Sequence, residues 1–179
     1  YFIEYKGLVY FRGLNQLWRT DGTVNGTALF KSDVAPFGNI NFDGREGIVF
    51  NNTLIFAGDD DSTNGEELWS SDGSLAGTKI FKSLNAGFLD SGPSLLVNGG
   101  DGNFYFNAYT GNSDYALWKS NGTAAGTLKV ADPYPGDNAQ NLWAIVPAGN
   151  TLFYVTSSAA NGNELWKVGI TTPVTEPVA

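Results

Sequence analysis

A short acidic segment carries the residues best suited to metal chemistry. Residues 59 to 67 read "DDDSTNGEE", which places oxygen-bearing side chains at alternate positions from Asp60 and a glycine at the sixth position. This spacing matches the start of a calcium-binding loop, because calcium takes about six to eight oxygen ligands. The predicted ligands are Asp60, Ser62, Asn64 and Glu66. No glutamate stands at the twelfth position, so a solvated acidic loop is the alternative interpretation.

A second candidate site is aromatic. Trp143 stands in "QNLWAIV", after the polar stretch "YPGDNAQN" that contains Tyr134 and Asp137. Trp and Tyr rings stack on sugar rings, while Asp and Asn bind the sugar hydroxyls. We therefore predict that Trp143, Tyr134 and Asp137 contribute to a ligand-binding surface for glycans. Packing within the core is the alternative role for such residues.

The composition excludes several classes of catalyst. The chain has no Cys, His or Met, which excludes thiolate and imidazole metal sites, Cys/His and Ser/His/Asp catalytic units and haem ligation by these residues. Paired carboxylates alone can hydrolyse glycosides. The acidic residues, however, stand mostly in turn sequences, such as Asp21, Asp72 and Asp101. The sequence thus favours a protein that is not an enzyme, with a carboxylate-based glycoside-active enzyme as the third hypothesis.

The charge and the hydropathy of the chain limit the classes of molecule that it is expected to bind. Ten basic against eighteen acidic residues give a net charge of −8, whereas nucleic acids and anionic membranes require clustered Lys and Arg. No apolar run approaches the roughly 18 residues that span a bilayer. We expect no nucleic acid and no membrane span in this chain, and a partner that is an extracellular glycan, a protein or another copy of the chain.

The chain repeats one motif. "QLWRTDGTVNGT" at 16 to 27 returns as "ELWSSDGSLAGT" at 67 to 78 and "ALWKSNGTAAGT" at 116 to 127, and "ELWKVGIT" begins a fourth copy at Glu164. A short apolar run precedes each copy, and its third residue is aromatic. The repeated tryptophans are Trp18, Trp69, Trp118 and Trp166, and the aromatic residues are Tyr10, Phe56, Phe106 and Tyr154.

The repeat predicts an all-β fold. Each unit divides into four short strands rich in aromatic and β-branched residues and bounded by Gly and Asn. In the third unit, Phe104 and Phe106 alternate with Tyr105, so both faces of this strand are apolar and need cover. A period of about 48 residues with four strands is typical of propeller blades. We predict a β-propeller-like array of about four four-stranded antiparallel blades, with units at approximately 1–40, 41–90, 91–137 and 138–170; a β-sandwich or an irregular stack is the alternative.

The motif itself predicts a framework role. Asp-Gly and Asn-Gly dipeptides favour tight turns, because Gly accepts positive φ at low cost; the turn glycines are Gly22, Gly73 and Gly122. The second glycines, Gly26, Gly77 and Gly126, are expected to return the chain to the sheet through a bulge. Each repeated tryptophan is expected to fill the space between neighbouring units.

These motifs resemble the bacterial ELWxxDGT repeat, and the resemblance covers nearly the whole chain. It implies propeller blades in a secreted or cell-surface protein, and it implies no catalytic residue and no particular ligand. The copies depart from the pattern at Gln16, Ala116 and Asn121, and the fourth reads "KVGIT" where the turn is due.

Residues 171–179, "TTPVTEPVA", stand where the outer strand of the fourth unit is expected. We predict a Pro/Thr-rich tail or linker there, because proline cannot donate ladder hydrogen bonds.

The functional hypothesis is a non-catalytic, secreted or cell-surface module for binding or adhesion, with glycans as a candidate ligand class. The alternative is a structural subunit that assembles into a ring, sheath or fibre, because an incomplete last blade leaves a bare strand edge. Three arrangements stay open: a closed four-bladed ring, half of a larger ring completed by a second copy, and one segment of a longer protein.

Overall fold

The computed structural model describes residues 2–36, 46–60, 65–84, 90–109, 115–132, 142–158 and 162–170. These residues form sixteen strands, and none of them lies in a helix. Accordingly, no helix able to cross a membrane is found in this part of the chain. The strands form four antiparallel sheets that follow one another along the sequence.

In each sheet neighbouring strands are consecutive in the chain, except that β5 in the second sheet pairs with β7. The first sheet contains β1 (Phe2–Tyr5), β2 (Leu8–Gly13), β3 (Gln16–Thr20) and β4 (Ala28–Lys31). The second contains β5 (Ala35–Pro36), β6 (Gly47–Phe50), β7 (Thr53–Asp59), β8 (Glu67–Ser71) and β9 (Lys79–Lys82). The third contains β10 (Ser94–Asn98), β11 (Phe104–Tyr109), β12 (Tyr115–Ser120) and β13 (Leu128–Ala131), and the fourth β14 (Ala144–Ala148), β15 (Thr151–Ser158) and β16 (Gly162–Gly169). β5 and β6 pair with successive parts of β7.

The strand register shows which residues are equivalent in the four units. Each repeated tryptophan stands directly opposite an aromatic residue of the preceding strand, and these pairs are Phe11–Trp18, Phe56–Trp69, Phe106–Trp118 and Tyr154–Trp166. The sequence alignment was therefore wrong by one residue in the first unit, where it chose Tyr10. Successive strand residues face opposite sides of a sheet. Tyr10 consequently lies on the other face, buried against the second sheet.

Three hydrophobic cores fill the spaces between consecutive sheets. The alternation predicted for the third unit is confirmed: Phe104 and Phe106 pack with the second sheet, and Tyr105 packs with the fourth. Three repeated tryptophans, Trp69, Trp118 and Trp166, each lie in the core shared with the preceding sheet. Burial of such side chains contributes about 25 cal/mol per Å² of apolar surface, so the cores hold the sheets together.

The outer faces of the first and fourth sheets are not covered in this way. In the first sheet Trp18 and Phe11 are only half-buried, whereas Phe56 is fully buried. In the fourth sheet Leu165 is 69% exposed, whereas its counterpart Leu117 is fully buried. The expectation that every repeated tryptophan fills a space between units is not met at Trp18, which lies in none of the cores between the described sheets.

A β-bulge recurs in the last strand of the first three sheets. Leu17 pairs with Lys31 but Trp18 pairs with Leu29, which leaves Phe30 as the extra residue. The same register shift occurs between Leu68 and Trp69 in the second sheet and between Leu117 and Trp118 in the third. The sequence predicted the bulge at the second glycine of the motif; it lies instead within the strand, opposite the tryptophan.

Candidate functional site

The most regular polar structure in the molecule is the turn of the repeated motif. In the second sheet Asp72 Oδ1 accepts hydrogen bonds from Ser74 N at 2.8 Å and Ser74 Oγ at 2.6 Å. Ser74 Oγ in turn accepts from Gly77 N at 3.0 Å, and Thr78 Oγ1 donates to Ser74 O at 2.7 Å. These bonds from Ser74, first from its hydroxyl and then from its backbone, lower the pKa of Asp72.

The other two complete copies build the same turn from different residues. Asp21 and Asn121 take the place of Asp72, and Thr23 and Thr123 take the place of Ser74, with the same set of hydrogen bonds. The chemistry requires a side-chain oxygen at the first position and a hydroxyl two residues later. Residues that differ between the copies of the motif therefore still supply equivalent hydrogen-bonding atoms.

Two of the turn glycines, Gly73 and Gly122, also face the preceding sheet, whereas a β-carbon at Gly22 would meet no atom within 4 Å. Gly73 has φ of +90°, as the Asp-Gly pattern predicted, and Tyr5 and Lys6 of the first sheet lie beside it. Lys6 Nζ donates to the backbone oxygen of Asp72 at 2.8 Å. Gly122 lies beside Phe50 of the second sheet in the same manner. The motif residues thus shape a turn and dock it on the neighbouring sheet, which is a framework role.

A buried carboxylate secures the connection between the second and third sheets. Glu67, the glutamate of the "ELW" segment, is fully buried. Its Oε2 accepts from Ser91 Oγ at 2.6 Å and from Leu84 N at 2.9 Å, and Ser83 Oγ lies 3.2 Å from Oε1. The carboxylate is therefore tied to both ends of the crossing segment. Sequence reasoning missed this role, because the partners lie 16 to 24 residues away along the chain.

An acidic cluster surrounds the neighbouring residue, Glu66. Glu66 N donates to Asp90 Oδ1 at 2.8 Å, and the backbone oxygen of Glu66 accepts from Ser91 N at 2.8 Å. The carboxyls of Glu46, Asp90 and Asp59 all act electrostatically on Glu66, and Arg12 opposes them. Strand ends from the first two sheets and the start of the third are thus brought together here.

The electrostatics of this cluster favour a neutral Glu66 side chain. Burial, followed by repulsion from Glu46, Asp90 and Asp59, raises the pKa of Glu66 to about 7. A carboxyl with such a pKa exchanges protons near neutral pH, which is a property of general acids and of proton-linked switches. The sequence pointed to Glu66, but it gave no sign of Glu46, Asp59 or Asp90 as neighbours.

The predicted calcium ligands are only partly within the described residues. Asp60 and Glu66 are described, whereas Ser62 and Asn64 lie outside the described ranges. Across those ranges, no group of three or more His, Cys, Asp or Glu side chains is arranged to hold a metal ion. Calcium binding by this loop stays a prediction.

The predicted aromatic platform is placed at the start of the fourth sheet. Trp143 is 61% exposed, and its backbone N donates to Val155 O at 2.8 Å. The indole is therefore presented to solvent from a backbone that is fixed to the sheet. Tyr134 and Asp137 lie outside the described residues.

Comparisons with known proteins bear on the fold. No protein-family model and no curated protein sequence matches the chain. Among solved structures the chain is similar to a variant of puromycin hydrolase complexed with PGG, with a TM-score of 0.57 and 13% identity, and to puromycin hydrolase, with a TM-score of 0.56 and 12% identity. The matches cover 96% of this chain but 27% and 28% of those chains. The regions matched are β-propeller domains, which supports an all-β, propeller-like fold.

Proposed function

We propose that the chain is a non-catalytic, secreted or cell-surface repeat module that binds an extracellular ligand, with glycans as the ligand class. The observation that carries this proposal is the exposed indole of Trp143 on a backbone fixed to the fourth sheet. Sugar rings stack on such aromatic faces, and the stacking is favourable because both partners lose apolar surface to water. The resemblance of the motif to ELWxxDGT repeats supports the extracellular placement.

The structural roles of the repeated-motif residues support a binding function for the chain rather than a catalytic one. Trp69, Trp118 and Trp166 pack in the cores between sheets, and the turn residues, such as Asp72, are occupied by local hydrogen bonds. Trp143 stands outside the repeated motif and is not part of any core between the described sheets. A sugar ring could stack on this indole, which is held by a backbone hydrogen-bonded to the sheet.

A glycan array tests this proposal, followed by titration calorimetry on any glycan that binds. Trp143→Ala is expected to weaken binding about tenfold or more, which corresponds to the loss of one stacking contact. Leu75→Ala is the matched control, because Leu75 is 60% exposed and lies in a turn of the second sheet. Binding that is equal in both variants, or no binding to any glycan, would contradict the glycan proposal.

A structural subunit that joins copies of itself is the second candidate function. The specific observation in its favour is that apolar side chains of the first and fourth sheets face solvent, including Phe2 at 71% and Leu165 at 69% exposure. The two middle sheets are packed on both faces, and contiguous apolar surface that stays exposed in such a structure is typical of interaction surfaces. Light scattering over a range of protein concentrations tests this function, and a strict monomer would contradict it.

A further inference from the structure

The three interfaces between sheets share one pairing scheme. We call the side of a sheet that carries the repeated tryptophan its tryptophan face, and the opposite side its leucine face, after the Leu that precedes each Trp. Leu17, Leu68 and Leu117 all lie in the core shared with the following sheet. In every interface, therefore, the leucine face of one sheet packs on the tryptophan face of the next.

The tryptophan face of the first sheet has the same construction, but none of the other described sheets covers it. Four apolar side chains form a row across its strands in register, namely Phe2, Phe11, Trp18 and Leu29. Phe2 and Leu29 are 71% and 43% exposed, and the rings of Phe2 and Phe11 lie 5.7 Å apart. A continuous apolar row across the full width of the sheet thus faces solvent.

A pair of hydroxyls shows that this face is equivalent to the buried ones. Thr20 Oγ1 and Thr27 Oγ1 are 2.7 Å apart and exposed. The matching pair in the second sheet, Ser71 and Thr78, has the same 2.7 Å separation and is buried. The same hydroxyl pair is thus exposed on the first sheet, where no described sheet covers it, and buried on the second, where the first sheet does.

The leucine face of the fourth sheet is the complementary uncovered surface. Leu165 is 69% exposed, although the equivalent Leu17, Leu68 and Leu117 are fully buried. Val146 on the same face is 50% exposed, and it pairs across the strands with the half-buried Phe153. This face presents the aliphatic side chains that tryptophan faces receive elsewhere in the molecule.

We propose that the tryptophan face of the first sheet binds the leucine face of the fourth sheet of a second copy of this chain. Both halves of the interface are present on one molecule, at opposite ends of the array, and three internal interfaces already use this pairing. The contact is head-to-tail, so it either closes into a ring or continues as a filament. Two copies supply eight sheets, which lies within the range of about four to eight blades in propellers.

This inference rests on the second candidate function, the assembling subunit, and it specifies the surfaces that assemble. It differs from pairing through the bare strand edge of the last unit, which the sequence suggested. Edge pairing depends on backbone hydrogen bonds, whereas face packing depends on burial of apolar side chains. Substitution of exposed side chains by aspartate therefore distinguishes the two modes.

The experiment uses three variants of the full chain. Phe2→Asp places a charge on the tryptophan face of the first sheet, and Leu165→Asp places one on the leucine face of the fourth. Both side chains are mostly exposed, so each variant is expected to fold, as checked by circular dichroism and thermal unfolding. Leu75→Asp in a turn of the second sheet is the control, because it makes the same change in net charge away from both faces.

Light scattering and analytical ultracentrifugation measure the mass against concentration. We expect the wild-type chain and Leu75→Asp to associate equally, and each face variant to associate at least about tenfold more weakly, because a charge cannot be buried without a partner. An equimolar mixture of Phe2→Asp and Leu165→Asp is expected to form a 1:1 dimer, since each variant retains the face that the other lacks.

The possible outcomes separate this inference from the function on which it rests. A chain that stays monomeric at all concentrations overturns both. Association that persists unchanged in the two face variants overturns the face-to-face inference and leaves assembly through another surface. Loss of association in the single variants with recovery in the mixture supports the head-to-tail contact and excludes a symmetric contact of one face with itself.

Discussion

The carboxylate of Asp72 lies against the α-carbon of Gly77, so that a β-carbon at this position would overlap the carboxylate oxygens. The same contact recurs between Asp21 and Gly26 and between Asn121 and Gly126. The second glycine of the motif is therefore required by steric exclusion. It makes room for the side chain whose hydrogen bonds hold the turn.

Gly77→Ala is expected to destabilise the fold by about 1–3 kcal/mol, the usual cost of forcing extra atoms into a packed site. Urea unfolding measures the change in the free energy of unfolding. Gly169→Ala is the control, because a β-carbon there meets no atom within 4 Å, and it should cost much less. Asp72→Ala combined with Gly77→Ala should lose less than the sum of the single changes, since removal of the carboxylate opens the space; additive losses would contradict the steric explanation.

The repeated tryptophans are expected to differ in their contribution to stability according to the cover that each receives. Trp69 is 4% exposed in the core between the first two sheets, and Trp69→Ala should cost about 3–5 kcal/mol. Trp18 is half-buried on the outer face, so Trp18→Ala should cost about half as much. Urea unfolding at protein concentrations where the chain is monomeric provides the comparison, and equal costs would show that Trp18 is covered in the monomer.

The sequence predicted the strands and the repeat because these depend on local patterns. In the third unit the strand predicted around Phe104, Tyr105 and Phe106 corresponds to β11 (Phe104–Tyr109). The alignment of the first unit was wrong because "LVYF" holds two adjacent aromatic residues, Tyr10 and Phe11. Spacing alone cannot decide between neighbours, whereas the strand register places Phe11 opposite Trp18.

The candidate site was harder to predict because its contacts are distant in sequence. Glu66 was identified from its own loop, but Asp90 approaches it from 24 residues away and Arg12 comes from the first sheet. A single sequence carries no signal for such pairs. The exposure of Leu165 could not be predicted for a related reason, because Leu165 occupies the same motif position as the buried leucines.

Glu67 is expected to be the most important acidic residue for stability. Its buried carboxylate accepts hydrogen bonds from Ser91 and Leu84, and Glu67→Ala leaves these donors without an acceptor in a closed space. We expect a loss of about 3 kcal/mol in the free energy of unfolding. Gln16→Ala at the same motif position in the first sheet is the control, because Gln16 is half-buried; its cost should stay within about 1 kcal/mol. Equal losses would argue against a special role for the Glu67 network.

Glu66 should make the stability of the protein fall as the pH rises towards neutrality. Its pKa lies at about 7 in the folded chain against 4.5 in the unfolded one, chiefly because of burial. Between these two values the folded state retains a proton that the unfolded state has lost, so the free energy of unfolding decreases with rising pH. The loss amounts to about 3 kcal/mol at most by the top of this range.

Urea unfolding of Glu66→Gln in calcium-free buffer tests this effect. The variant should show a flatter stability profile between pH 4.5 and 7, the two pKa values of Glu66, and should exceed the wild type in stability above that range, because a neutral amide carries no charge to desolvate. The lowered pKa values of Asp21 and Asp72 act in a different window, below their ordinary value of 3.8, where stability falls as the pH decreases. Parallel profiles for the variant and the wild type from pH 4.5 to 7 would show that Glu66 is ionised in the folded chain and that its carboxylate is stabilised by its surroundings.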